Sequence, residues 1–125
     1  MVQTKNKKVL VVDDELGVRR LLCQILSKSY DVLEAQNGEE AVDISSIHKP
    51  DIILMDMMMP KMDGFTACSK IKSNEITQNI PVIMVTAISH ELNKKLCADV
   101  SGADGYITKP FDSQELLDTI NVFLK

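Results

Sequence analysis

Three carboxylates, one hydroxyl and one ammonium group each follow a short apolar run in this chain. Asp13 and Asp14 follow VLVV, Asp56 follows IILM, Thr86 follows PVIMV and Lys109 follows DGYIT. Carboxylates held close together repel one another, which raises a pKa or recruits a cation. Their hard oxygen atoms favour Mg²⁺, with Mn²⁺ as an alternative. A carboxylate can also be a nucleophile that forms an acyl phosphate, while an ammonium group and a hydroxyl bind phosphoryl oxygens.

The surroundings of Asp56 make it the most unusual of these residues. It lies in LMDMMMPKMDG, the most apolar part of the chain. An ionised carboxylate in apolar surroundings is costly unless a partner compensates its charge. We therefore expect Asp56 either to emerge at an edge of the fold or to lie where its charge is needed.

The apolar runs alternate with helical patterns along the chain. Strands are predicted at 9–12, 30–35, 52–55, 81–85 and 104–108, with the second at a sheet edge and the other four buried. Helices are predicted around 18–25, 39–49, 65–72, 90–100 and 116–124, the last capped by Asp112 or Ser113. Five βα units with apolar strands predict a doubly wound α/β sandwich, in which a parallel sheet is covered on both faces.

The parallel arrangement also brings the chemical groups together. Ligands of open parallel sheets bind outside the carboxyl ends of the strands. Because each of the five polar residues follows a strand, all of them are expected at that one edge.

Composition narrows the class of protein. The chain has 125 residues, enough for one domain, and its net charge of −4 argues against direct binding of nucleic acid. Three cysteines without CxxC spacing favour buried or half-buried thiols over a zinc site. No run approaches the ~18 apolar residues of a membrane span, and the apolar N-terminal run is too short for a signal peptide. The expected location is the cytoplasm.

Four motifs in order resemble the receiver domain of two-component response regulators. They are VLVVDDE, DIILMDMMMPKMDG, PVIMVTA and GADGYITKPF, and the resemblance covers essentially the whole chain. It implies a single receiver domain over residues 1–125, with a flavodoxin-like five-stranded sheet of order 2-1-3-4-5. That order would place Asp13 and Asp14 next to Asp56.

The resemblance also implies roles for individual residues. Asp56 matches the phosphoacceptor, which takes a phosphoryl group from a phosphohistidine of a sensor histidine kinase or a histidine phosphotransfer protein. Asp13, Asp14, Asp56 and the backbone carbonyl of Met58 match the ligands of Mg²⁺. Lys109 matches the lysine that contacts the phosphoryl group, and the Lys109–Pro110 bond is cis in this family. Thr86 and Tyr106 match the switch hydroxyl and the aromatic side chain that follows it inward.

Two apolar residues depart from polar choices seen in the family. Met58 and Ile88 match positions that flank the path of the water that hydrolyses the acyl phosphate. Neither side chain orients water by hydrogen bonding, so we expect slow intrinsic dephosphorylation.

The same residues also have simpler interpretations. Taken singly, Asp14 would be a helix cap, Lys109 a solvated lysine and Tyr106 a core aromatic residue. Taken together, the residues could belong to an interaction module that is not phosphorylated, or to a Mg²⁺-dependent aspartyl phosphohydrolase. The phosphohydrolase is disfavoured because Asp13 and Asp14 are adjacent and do not form the DxD pair of such enzymes. A receiver is no turnover enzyme, and its output would be a downstream protein partner or a tethered domain.

Overall fold

A computed structural model describes residues 7–87 and 102–124, where five strands and four helices are found. In chain order they are β1 (Lys8–Val12), α1 (Leu16–Leu26), β2 (Asp31–Ala35), α2 (Gly38–His48), β3 (Ile52–Asp56), α3 (Gly64–Ser73), β4 (Val82–Thr86), β5 (Gly105–Thr108) and α4 (Ser113–Leu124). The helix predicted around 90–100 lies outside the described residues. None of the described helices has the length and apolar character needed to cross a bilayer.

The strands form one parallel sheet of order β2-β1-β3-β4-β5, which confirms the expected topology. The pairing registers place the carboxyl ends of neighbouring strands beside one another. Val12 of β1 pairs with Met55 of β3, and Asp56 pairs with Val85 of β4. Thr86 in turn pairs with Thr108 of β5. The residues at these strand ends are therefore neighbours across one edge of the sheet.

Two apolar cores lie on opposite faces of the sheet, as a doubly wound fold requires. Alternate residues of each strand point to opposite faces, so Leu10 and Val12 enter one core while Val9 and Val11 enter the other. The first core packs against α2 and α3, and the second against α1 and α4. The sheet is thus held from both sides, which fixes the positions of its strand ends.

Two predictions about burial were wrong. The strand predicted over DGYIT is not fully buried: β5 runs over Gly105–Thr108 and only Ile107 in it is buried. The reason is its place at the end of the strand order, where it pairs with β4 alone. The third strand was predicted over 52–55, with Asp56 following it outside the buried strand. Instead Asp56 is the last residue of β3 and is itself buried.

The helix starts settle two open alternatives. The backbone N–H of Glu115 donates to Asp112 Oδ1 at 2.8 Å, so Asp112 caps α4. At α1 the N-cap position is Glu15, and no side chain caps that helix. Asp14 is therefore not the cap of α1, and it is exposed beside the sheet edge.

Candidate functional site

The carboxyl edge of the sheet gathers the three predicted carboxylates. Asp13 and Asp14 follow β1, Asp56 ends β3, and each offers an oxygen such that these atoms all lie within 4.8 Å of one another. The adjacency of β1 and β3 produces this cluster, because residues 43 positions apart in the chain end side by side. The predicted convergence of these acids is confirmed.

Asp13 is held by backbone and side-chain hydrogen bonds. Its Oδ1 accepts from the backbone N–H of Glu15 at 2.9 Å. Arg19 Nη1 donates to the Asp13 carbonyl oxygen at 2.8 Å, and Arg19 Nε pairs with Glu34 Oε1 at 3.3 Å. The sequence motifs did not single out Arg19. Its contacts tie the loop that carries the acidic pair to α1 and β2.

Lys109 places its ammonium group between the two buried carboxylates. Its Nζ lies 3.6 Å from Asp56 Oδ1 and 3.8 Å from Asp13 Oδ2. The backbone N–H of Lys109 donates to the Thr86 carbonyl oxygen at 2.7 Å, so β4 anchors the start of this segment. The Lys109–Pro110 peptide bond is cis, as the sequence resemblance implied.

Burial dominates the ionisation of both inner carboxyl groups. For Asp56, loss of solvent together with the negative charge of Asp13 raises the pKa to about 6, against the lowering effects of Lys109 and the Met58 backbone N–H. Burial likewise raises the pKa of Asp13, and the hydrogen bond from Glu15 and the charge of Lys109 oppose it. The site therefore has a shortage of positive charge near two carboxylates that are largely shielded from solvent.

The hydroxyl of Thr86 makes a contact that sequence reasoning missed. Its Oγ1 donates to Met57 Sδ at 3.5 Å, and both side chains are buried. The sequence motifs assigned no role to Met57. Nothing in the spacing of the chain could have indicated this pair, because it depends on the orientation of one flexible side chain.

A close turn after β3 depends on Gly64, the first residue of α3. A Cβ atom at this position would lie 2.9 Å from the Met57 Cα, closer than such atoms approach in proteins. The Gly64 N–H also donates to the Met57 carbonyl oxygen at 2.9 Å. Asp63 Oδ1 caps the helix by accepting from the Thr66 N–H at 2.8 Å. The turn formed by Asp63 and Gly64 therefore fixes the backbone beside Asp56.

An open cleft of about 320 Å³ gives access to the acidic edge. Its lining includes Asp56, Thr86 and Lys109 together with Met58, which is 75% exposed. Tyr106 is half-buried in β5, the strand that pairs with β4. Ile88, the second residue expected to flank the hydrolytic water, lies outside the described residues.

These residues fit a hard divalent cation. Oxygen ligands are what Mg²⁺ prefers, and Asp13, Asp14 and Asp56 supply them at one point. The raised pKa of Asp56 has burial and Asp13 as its two largest causes, and a bound cation would compensate both. The oxygen ligands and the uncompensated negative charge around them both favour a divalent cation at this edge of the sheet.

Comparison with known proteins gives a consistent result. The sequence model of the response regulator receiver domain matches residues 9–121. The chemotaxis protein CheY of Halobacterium salinarum is 42% identical over 116 residues, covering 92% of this chain and 94% of that protein. The alkaline phosphatase synthesis transcriptional regulatory protein PhoP of Bacillus subtilis is 40% identical over 121 residues, covering 96% of this chain and 49% of that protein.

A solved structure supports the same assignment. The receiver domain of a sensor histidine kinase of Pseudomonas aeruginosa, described with a magnesium ion coordinated in its active site cleft, superimposes with a TM-score of 0.87. It is 27% identical, and the match covers 95% of this chain and 98% of that one. The chain spans about half the length of several curated relatives, which are transcriptional regulators. On the family match over residues 9–121 and these relatives, the chain belongs to the receiver domain family of two-component response regulators.

Proposed function

We propose that this domain accepts a phosphoryl group on Asp56 from a phosphohistidine of a sensor histidine kinase or a histidine phosphotransfer protein. The observation that carries the proposal is the position of Asp56. It is a buried carboxylate at the floor of an open cleft, 3.6 Å from an ammonium group and beside two further acids. This arrangement combines a nucleophile with charges that bind phosphoryl oxygens.

The nucleophile must be ionised to attack phosphorus. With its pKa near 6, Asp56 is mostly ionised at neutral pH, and Lys109 favours that form. The same ammonium group neutralises phosphoryl oxygens as they approach, because its Nζ already lies beside Asp56 Oδ1. Lys109 thus has two roles that its observed position supports.

Asp13, Asp14, Asp56 and the backbone carbonyl of Met58 would hold Mg²⁺, with Mn²⁺ as a substitute. When bound, the cation supplies charge neutralisation and orientation for the phosphoryl oxygens. Support comes from the carboxylate cluster and from the magnesium in the related Pseudomonas aeruginosa receiver. Hydrogen bonds from Glu15 and Arg19 fix Asp13, so that one acid is oriented before the ion arrives.

Phosphorylation of Asp56 would add about two negative charges next to Thr86. The Thr86 hydroxyl would turn toward a phosphoryl oxygen, and Tyr106 would move inward behind it. The surface around β5 and α4 would then change its affinity for partners. Such a change is a shift between two existing conformations.

Membership of the family supports a proposal about the biological setting. We infer a single receiver domain over residues 1–125 that works in the cytoplasm and catalyses only its own phosphorylation and dephosphorylation. Its output is a downstream protein or a tethered domain, since its relatives include a chemotaxis protein and longer transcriptional regulators. A receiver fold without phosphorylation is less well supported, because Asp13, Asp56 and Lys109 are in mutual contact range.

Beryllium fluoride with Mg²⁺ tests the proposal, since it forms a stable analogue of an aspartyl phosphate. Mg²⁺ alone is expected to shift amide NMR signals near the carboxylate cluster. Beryllium fluoride added together with Mg²⁺ is expected to produce a further shift that includes Thr86 and Lys109. The Asp56→Asn variant is expected to show no such shift. The same spectral change in the variant would contradict Asp56 as the acceptor.

A further inference from the structure

The contact between Thr86 and Met57 joins the strand end of β4 to the residue after Asp56. Thr86 Oγ1 lies 3.5 Å from Met57 Sδ, and each residue is only 2% exposed. A thioether is a weak acceptor of hydrogen bonds. A hydroxyl that donates a hydrogen bond to a thioether is oriented by it, but readily turns to donate to a stronger acceptor.

The backbones of both residues are fixed by hydrogen bonds. The Met57 N–H donates to the Val85 carbonyl oxygen at 3.3 Å, and the Met57 carbonyl accepts from Gly64 at 2.9 Å. The carbonyl of Thr86 accepts from the Lys109 N–H at 2.7 Å. Any rearrangement of the pair must therefore occur through side-chain torsions, and methionine has three flexible ones.

Met57 lies where the packed core borders two clefts. It lines the cleft of about 320 Å³ that contains Asp56 and Lys109. It lines as well a second cleft of about 340 Å³, whose other walls are Met58, Met59, Asp63 and Phe65. The side chain of Met57 therefore belongs to the packed core and also borders the cleft in which Asp56 lies.

We propose that Met57 is a positioning residue for the switch: its sulfur accepts the Thr86 hydroxyl in the unphosphorylated domain and sets how readily that hydroxyl turns to Asp56. This inference rests on the proposed phosphorylation. A phosphoryl oxygen is a charged acceptor and binds a hydroxyl more strongly than sulfur does. The hydroxyl exchanges one acceptor for the other, and no covalent bond changes at either residue.

The proposal predicts that removal of the sulfur favours the switched state. Met57→Leu keeps the volume and apolar character but has no acceptor. Losing one weak hydrogen bond from the resting state should tighten beryllium fluoride binding, with Mg²⁺ present, by about twofold to tenfold. Met59→Leu makes the same chemical change in the same loop and should leave the affinity unchanged.

A double-mutant cycle separates this role from general packing. In a Thr86→Val background there is no hydroxyl to hold, so Met57→Leu should have no further effect on affinity. An equal effect in both backgrounds, or unchanged or weaker binding in the single variant, would overturn the inference. Failure of the wild type to bind beryllium fluoride would instead overturn the proposed function.

A second measurement needs neither ligand nor a change at Met57. In protein labelled with ¹³C at methionine methyl groups, Thr86→Val should shift the Met57 methyl signal of the unliganded domain. The Met59 signal serves as the internal reference and should stay in place. An unmoved Met57 signal would overturn the inference even if Met57→Leu does not fold.

Discussion

Replacing Asp56 by Asn should stabilise the domain when divalent cations are absent. Burial and Asp13 raise the pKa of Asp56 from 3.8 to about 6, so folding disfavours the ionised form. Protonated Asp56 therefore contributes to the free energy of unfolding, and this contribution is fully present below pH 3.8. It is lost as the pH rises through about 6 and Asp56 ionises in the folded domain. Asn keeps the shape of the side chain and cannot ionise, so it avoids this loss.

The size of the stabilisation expected for Asp56→Asn follows from the shift in the pKa of Asp56. A difference of about two pKa units at 1.36 kcal/mol each corresponds to ~3 kcal/mol at pH 7.5. The side chain of Asp56 is 12% exposed, so solvent screens little of this energy. For a domain of this size the gain corresponds to on the order of 10 °C in Tm.

Urea unfolding followed by circular dichroism, in EDTA and between pH 4 and 8, measures the difference. We expect the Asn variant to gain stability over wild type as pH rises, with the two nearly equal at the acid end. Asp14→Asn removes an exposed charge from the same cluster and should give a smaller gain. A variant that is less stable than wild type at pH 7.5, or a difference independent of pH, would refute the reasoning.

Two further changes test the turn after β3 and the path of water. Gly64→Ala should lower the free energy of unfolding by about 1–3 kcal/mol, because its Cβ would clash with the carbonyl oxygen of Asp56 and with the backbone of Met57. Denaturant unfolding measures the change, and an unchanged midpoint would argue against the close approach. The Met58→Asn, Ile88→Glu double variant should lose its aspartyl phosphate faster than wild type, as followed by loss of phosphate after removal of the donor. Equal decay in the two proteins would exclude a role for the apolar pair in slowing hydrolysis.

The sheet and the acidic cluster could be predicted because they depend on local patterns. Short apolar runs define β1, β3 and β4, and the polar residue at each run's end is placed by the parallel topology alone. The strand order required the family resemblance, since apolar runs do not show which strands are neighbours. Once β1 lies beside β3, the contact of Asp13 with the site follows.

What the sequence could not provide depends on packing in three dimensions. Burial of β5 was overestimated because an edge strand and an inner strand can have the same apolar pattern. Arg19 and Met57 were missed because the contacts of Arg19 with Asp13 and Glu34, and the contact of Met57 with Thr86, depend on side-chain orientations that residue types do not show. The pKa of Asp56 likewise reflects enclosure by surrounding atoms, which residue types do not show.

Phosphorylation at Asp56 is the central claim, and mass spectrometry tests it most directly. Incubation with acetyl phosphate and Mg²⁺, followed by peptide mapping, should place one phosphoryl group on Asp56. The label should be absent when EDTA replaces Mg²⁺ and absent in Asp56→Asn. Labelling of Asp56→Asn to the wild-type extent, or a label mapped to another residue, would contradict the account.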